Sequence, residues 1–308
     1  HFRSEESMLG AFLDFWQENY PDVITGWNVQ LFDMPYIHNR INRIMGEKFT
    51  KLLSPWKLVS QREIFIKGRK QFAIDTLGIS CLDYLELYKK FTYTNQESYR
   101  LDHICNVELG EKKLDHSEYD TFKEFYEKNW QKFIDYNIHD VRLVDKLDDK
   151  MKLIELAYTM AYDAKVNYED VFSQVRMWDN YIYNELNKRK IAIPPKKESA
   201  TKTEKYAGAY VKEPIPGFYD WVVSFDLNSL YPHLIMQYNI SPETLQDTRH
   251  SGATVDKILE KQVEIDGEYA VCANGAQYSK DEHGFLPEMM QKMYDSRVIF
   301  KKKMIKAK

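Results

Sequence analysis

The sequence predicts an α/β chain, because strand-like and helical patterns alternate along its 308 residues. A short apolar run, Val23-Ile-Thr-Gly-Trp27, reads as a buried strand directly after an amphipathic helix. A second β-branched and aromatic run, Val222-Val-Ser-Phe225, ends on the single carboxylate Asp226. Between them lie long stretches with apolar residues at helical spacing. Composition bounds the rest. A chain of this length can bury at least one large core and is expected to carry two units. A net charge of −4 and a pI near 6.1 exclude a generally basic DNA-coating protein, so contact with a polyanion has to come from local patches. Cys81, Cys105 and Cys272 show no C-x-x-C spacing, which argues against structural zinc and for buried thiols in a reducing compartment. No apolar run reaches the roughly 18 residues that a membrane span requires.

In chain order, Met8, Leu9, Phe12, Leu13, Phe15 and Trp16 mark an opening helix that closes near Tyr20-Pro21. With neither an initiator Met nor a signal peptide before that helix, the chain reads as cut from something longer. Trp56 to Asp75 alternates with period two around Lys67-Gly-Arg69, which predicts a hairpin. Ser80 to Lys90 contains an amphipathic helix, with Asp83 and Glu86 expected on it as solvated or ion-paired groups. Tyr119 to Lys132 reads as a packed helix with a solvated face. In the helix that follows, Tyr136 and Asp140 are four apart and share one face, as a surface pair or as partners in a site. Met151 to Arg189 is helical, and the polar stretch 194–205 is the best boundary. Val222 to Phe225 should form a buried strand with Asp226 at its tip, as a metal ligand or a helix-capping carboxylate. Asn228 to Pro232 would then turn the backbone so that its N–H groups face an anion. Val263 to Val271 is expected to form two strands around Asp266-Gly267. Last comes a basic helix from Leu286 to Met304, on which Arg297 and Lys301 can face one polyanion.

The string Asp226-Leu-Asn-Ser-Leu-Tyr-Pro232 resembles motif A of the family B replicative DNA polymerases, and Asn239-Ile-Ser-Pro-Glu-Thr244 resembles its continuation in the T-even-phage branch. The resemblance implies that Asp226 holds the catalytic metals of nucleotidyl transfer. Leu227, Ser229 and Leu230 would give N–H groups, and Ser229 also a hydroxyl, to the incoming triphosphate. Tyr231 would lie under the sugar as the steric gate, and His233 is assigned no role. Arg297 and Lys301 resemble the first triphosphate contacts of the fingers. Asn28-Val-Gln-Leu-Phe-Asp33 resembles the second exonuclease motif, which makes Asp33 a metal ligand, Asn28 a polar contact to DNA and Phe32 a packing residue beside the terminal nucleotides. Tyr136 and Asp140 resemble the third exonuclease motif, with the aspartate on metal and the tyrosine hydroxyl orienting the attacking water. Ser80 to Lys90 and Ser98 to Asp102 look like connecting segments of that domain, and the resemblance makes the Trp56 to Asp75 hairpin a candidate strand separator, with a plain edge hairpin as the alternative. Tyr206-Ala-Gly208-Ala resembles the element joining exonuclease and polymerase domains, where Tyr206 would govern partition of the primer end and Gly208 close approach of the template.

The fold so implied is a three-layer, ribonuclease-H-like exonuclease domain over residues 1–153, a helical connector over 154–197, part of the palm over 198–284 and the start of the fingers over 285–308. The function so implied is DNA-directed DNA polymerase for replication with 3′→5′ proofreading. Its substrates would be primer-template DNA and deoxynucleoside triphosphates, and its partner a sliding clamp or a complementary polymerase segment. No membrane is involved, and the expected location is the cytoplasm of an infected bacterial host. In-line phosphoryl displacement uses two metals about 3.5 to 4 Å apart, and hard carboxylate oxygens suit Mg²⁺, with Mn²⁺ as the alternative. The first exonuclease motif, an Asp-x-Glu ahead of Asn28, is missing from the chain, whose Asp266-Gly-Glu268 is taken as a hairpin turn. The second palm carboxylate is also expected outside it. The isolated chain is therefore expected to be inactive. Two other readings stay open: a non-catalytic DNA-binding part of a split polymerase, and a stand-alone nuclease.

Overall fold

The structure is a computed structural model that describes residues 2–66, 68–115, 117–193, 195, 211–265 and 267–307. The chain divides into two units, residues 1–197 and 198–308. Helix α1 (Glu5–Glu18) opens the first unit, and the Ser4 and Ser7 hydroxyls each accept the other's backbone N–H at its start. Leu9 and Leu13 bury against Ile41 and Leu53, with Phe12 and Trp16 alongside, whereas Met8 and Phe15 of the expected apolar face stay exposed. Strand β1 (Val23–Gly26) lies parallel to β4 (Ser80–Asp83), with Val23 opposite Ser80 and Gly26 opposite Asp83. Between these strands come α2 (Asp33–Met45), the short α3 (Glu47–Thr50) and the antiparallel pair β2 (Val59–Ile66) and β3 (Arg69–Thr76), the hairpin that the alternation predicts. Six helices follow: α4 (Tyr84–Phe91), α5 (Leu101–Leu109), α6 (Phe122–Lys128), α7 (Trp130–Met151), α8 (Leu153–Ala164) and α9 (Gln174–Lys188). They enclose a core that includes Leu82, Tyr88, Ile104, Leu143, Leu147 and Ala157.

The expectation that Asp83 lies on a helix and is solvated or ion-paired is corrected. Asp83 closes β4 one residue before α4 and is 2% exposed. Its Oδ1 accepts the N–H groups of Asn28 and Leu85, and its Oδ2 that of Gln30, each at 3.0 Å. The chain leaving β1 and the chain entering α4 would otherwise present unmatched donors to the interior, so a carboxylate between them satisfies both. Glu86, by contrast, meets Lys89 at 2.7 Å on the exposed face, as expected. Of the three cysteines, all free, only Cys105 is buried, while Cys81 and Cys272 are half-buried.

The second unit holds α10 (Leu230–Gln237), β5 (Leu245–Arg249), α11 (Val255–Leu259), β6 (Tyr269–Val271), β7 (Ala276–Ser279) and α12 (Phe285–Ala307), with the strands antiparallel in the order β5-β7-β6. Two expectations are corrected. Val263 to Ile265 form no strand, Asp266 lies outside the described residues, and the hairpin of β6 and β7 turns at Asn274-Gly275. Gly275 takes a positive φ of 80°, and a Cβ there would lie 2.9 Å from the His250 carbonyl oxygen, so the Asn-Gly pair is the one whose geometry closes the turn. Val222 to Phe225 form no strand either: Val222, Val223 and Phe225 are 79, 69 and 90% exposed. A β-prone run fits a pleated surface but does not create one, and among the described residues no strand pairs with it.

The best-fastened part of this unit lies after the Asp226-to-Pro232 segment. Asn239 donates through Nδ2 to the Ser279 and Glu282 carbonyls at 2.7 Å and accepts the Gly284 N–H at 2.9 Å. Glu243 accepts the Phe285 N–H at 2.6 Å, so the Asn239-to-Thr244 segment caps α12. Gly284 permits this approach, since a Cβ there would lie 2.5 Å from the Ser241 Cβ.

Replacing Asp83 with alanine is expected to destabilise the first unit by about 3 kcal/mol, because three buried donors lose their acceptor. Glu86→Ala, which removes an exposed pair, should change stability by less than about 1 kcal/mol. Urea unfolding of both variants, followed by tryptophan fluorescence, compares them directly.

Candidate active site

In parallel sheets, ligand groups gather at the carboxyl ends of the strands. β1 and β4 end side by side, and the chain leaving β1 carries Asn28 and then Asp33, the first residue of α2. Asn28 has a positive φ of 68°, a conformation that asparagine tolerates, and its backbone is tied to Asp83 at 3.0 Å. It lines a cavity of about 610 Å³ together with Trp27, Asp102, Lys113, Phe122 and Tyr136. The Tyr136 ring is buried and meets Phe122 and Phe125 edge-on, both at 6.0 Å between centroids. Lys113 comes from the segment after α5, where its N–H donates to Asp102 at 2.8 Å. Its ammonium forms an ion pair with Asp140 Oδ2, reaches the Tyr136 hydroxyl at 3.3 Å and lies 5.2 Å from that ring's centre. The second oxygen of Asp140, Oδ1, is buried and has no hydrogen-bond partner among the described residues.

The structure thus brings Asn28, Tyr136, Asp140 and Lys113 to one place. Asp33 and Asp140 are not on the lining of the cavity that Asn28 and Tyr136 share. Partial desolvation raises the Asp33 carboxyl above its ordinary range, against the opposing pull of its own backbone N–H. Phe32 is exposed and stacks on Tyr36 with centroids 6.3 Å apart and 12° between the planes. Among the described residues, no three His, Cys, Asp or Glu side chains gather so as to hold a metal ion.

In the second unit, Asp226, Leu227 and Asn228 are exposed, and the chain then tightens at Ser229, which has φ 54° and ψ 48° and starts α10. Arg297, on α12, donates to the Ser229 hydroxyl at 2.7 Å. Tyr231 is exposed on the first turn of α10, and Lys301 is exposed one turn beyond Arg297. The turn after Asp226 and the cation of the basic helix therefore meet. Tyr206 and Gly208 lie outside the described residues.

Residues 1–104 match the model of the exonuclease domain of DNA polymerase family B, and residues 173–308 match that of DNA polymerase family B itself. The chain belongs to DNA polymerase family B. It is 41% identical over 297 residues to the DNA-directed DNA polymerase of Escherichia phage RB69, a stretch that covers 96% of the chain and 32% of that protein. To the DNA-directed DNA polymerase of Enterobacteria phage T4 it is 36% identical over 305 residues, 98% of the chain and 33% of that protein. To the DNA polymerase delta catalytic subunit of Schizosaccharomyces pombe it is 25% identical over 310 residues, 96% of the chain and 28% of that protein. The chain spans about a third of the length of the phage relatives.

The family B exonuclease match ends at residue 104, before Lys113, Tyr136 and Asp140. Sequence reasoning missed Lys113, because Glu111 to Asp115 has no periodicity and the meeting with Asp140 spans 27 residues. Burial by itself pulls the Lys113 ammonium down, but Asp140 and the Tyr136 hydroxyl outweigh it and hold it above the ordinary lysine range. A raised lysine stabilises the fold fully below its unfolded value, and that contribution is lost as pH rises through the folded value. Lys113→Met should therefore cost about 1 to 3 kcal/mol at neutral pH, because the Asp140 carboxyl and the Tyr136 hydroxyl lose their cationic partner. The difference from the unsubstituted chain should shrink as pH climbs past the ordinary value of 10.5. Urea midpoints for both proteins from about pH 7 to above about pH 11 measure it.

Proposed function

We propose that this family B chain supplies part of the nucleotidyl-transfer site and part of the 3′→5′ proofreading site of a DNA-directed DNA polymerase. The observation that carries the reading is the 2.7 Å contact of Arg297 with Ser229, which sets a cation over the turn that follows Asp226. A triphosphate bound there would meet the Arg297 guanidinium, Lys301 one turn on, the Ser229 hydroxyl and the N–H groups of Leu227, Ser229 and Leu230. Tyr231, exposed beside them, would take the sugar face and leave no room for a 2′-hydroxyl. The primer 3′-hydroxyl would attack the α-phosphate of the deoxynucleotide with pyrophosphate leaving, a reaction that depends on positioning and charge placement.

For proofreading, Asn28 and Phe32 would hold the terminal nucleotides by a polar contact and by ring packing. The Tyr136 hydroxyl would orient the attacking water beside Asp140. Tyr206 and Gly208 would act where the primer end and template pass between activities. Exonuclease and polymerase domains of this family generally use divalent metals, and Asp33, Asp140 and Asp226 are the carboxylates this chain would offer to Mg²⁺ or Mn²⁺. Asp140 has an oxygen to give, but among the described residues no group of three His, Cys, Asp or Glu side chains gathers to hold a metal ion. The residues present therefore do not fit a complete two-metal centre, and the roles assigned to them here are binding and orientation. The domain limits proposed are 1–153 for the exonuclease, 154–197 for the connector, 198–284 for palm and 285–308 for fingers. Primer-template DNA and deoxynucleoside triphosphates are the proposed substrates, and a sliding clamp or a complementary polymerase segment the proposed partner. The proposed location is the cytoplasm of an infected bacterium, a reading that the likeness to phage polymerases supports.

Primer extension and single-strand degradation with Mg²⁺, measured for the chain alone and mixed with the remaining segments of the phage RB69 polymerase, test this. The chain alone is expected to do neither. The mixture should extend primers unless Asp226 is changed to Ala, and should degrade single strands unless Asp33 or Asp140 is. Extension by the chain alone would overturn the incomplete site, and full extension with Asp226→Ala would overturn the role of Asp226.

A further inference from the structure

We propose that His233 is a positioning residue that holds the triphosphate turn in its binding form against α12, an inference that rests on the polymerase reading above. Ser229 sits at φ 54° and ψ 48°, a left-handed conformation that an L-residue with a side chain enters only at a cost. Such a conformation persists when its surroundings over-determine it. The Ser229 carbonyl faces two donors from the same residue: the His233 backbone N–H at 3.2 Å and His233 Nδ1 at 2.9 Å. Because a carbonyl only accepts, Nδ1 must carry the proton, which fixes neutral His233 as the Nδ1–H tautomer.

The same imidazole meets Tyr294 of α12 edge-on, with centroids 4.7 Å apart and 80° between the planes. Tyr294 and Arg297 are three apart on α12 and share a face, just as Ser229 and His233 span one turn of α10. Two rungs therefore join the helices, Ser229 with Arg297 and His233 with Tyr294. They differ in exposure. Arg297 is exposed, so a triphosphate can draw the guanidinium away from the Ser229 hydroxyl. His233 and Tyr294 are half-buried, and their rung needs no rearrangement when ligand arrives. His233 thus keeps the Ser229 hydroxyl and the Leu230 N–H pre-set without touching the nucleotide, which lowers the ordering cost of binding.

The test uses the full chain, with dATP and inorganic tripolyphosphate as probes. Nitrogen-15 NMR of the imidazole is expected to show Nδ1 protonated, and an Nε2–H tautomer would overturn the proposal whatever the variants do. His233→Phe keeps a ring against Tyr294 but lacks the donor, and should weaken binding of both probes about fivefold to tenfold with an unchanged far-ultraviolet spectrum. His233→Asn, which can place an amide donor near the Nδ1 position, should bring affinity back to within about twofold. Equal affinity of the Phe variant and the unsubstituted chain would overturn the role of His233. Arg297→Ala separates the two levels: if it binds normally, or if the unsubstituted chain binds neither probe, the polymerase reading falls as well. If Arg297→Ala weakens binding and His233→Phe does not, only the inference about His233 fails.

Discussion

The first unit depends on one buried carboxylate, Asp83. Its parallel sheet, separate from the β2–β3 hairpin, pairs two strands of four residues each, too small to be stable by its own ladder. Asp83 cross-links the two strand ends by taking N–H groups from both outgoing chains. Thr25, which donates its hydroxyl to the Leu82 carbonyl at 2.7 Å, and Trp27, whose indole N–H reaches the Tyr99 carbonyl at 3.1 Å, extend the same junction. Burial raises the Asp83 carboxyl above its ordinary range, while the three N–H donors act in the opposite direction by favouring the charged form. An acceptor in this position decides how the chain leaves β1. Asn28 is held at positive φ, and Phe32 and Asp33 follow in a direction that the strand by itself would not set.

A neutral group does comparable work in the second unit. Asn239 bonds to residues on both sides of the step from β7 into α12, and it does so from a positive φ of 53°. Its effect is to fix the start of α12, so that Tyr294 and Arg297, two to three turns on, arrive opposite His233 and Ser229. Order in this unit therefore builds from the sheet and α12 back toward motif A. The run before Asp226 lacks such support and stays exposed.

What was legible in the sequence follows the same division. Local patterns reported local facts well: the β2–β3 hairpin, the helix carrying Tyr136 and Asp140, the basic helix after Gly284, and the motif strings that identify the family. They failed where a partner distant in sequence decides the outcome. Val222 to Phe225 reads as a strand because its side chains suit one, but hydrogen bonding needs a neighbour that the described residues do not provide. Asp83 reads as a surface acid, since nothing nearby in sequence announces that Asn28 and Gln30 will point their N–H groups at it. Asp-Gly and Asn-Gly are both good turn signals, and the choice fell to the pair from which β6 and β7 can match registers.

Each of the two proposed half-sites is also satisfied within the chain by a group that the proposed substrate would have to displace or share. Asp140 holds Lys113, and Arg297 holds Ser229. A half-buried carboxylate without a cation, or a guanidinium without an acceptor, would find partners elsewhere and lose its aim. Lys113 holds Asp140 directed beside Tyr136, and it occupies only one of the two carboxylate oxygens. Ser229 likewise keeps Arg297 over the turn where a phosphate would arrive. In the proposed function both contacts would lower the gross gain from binding, because each would be given up or shared when substrate enters. Both also remove the disorder that binding would otherwise have to overcome. The balance favours holding the groups in place, since catalysis by positioning loses far more from misplaced groups than from somewhat weaker contacts.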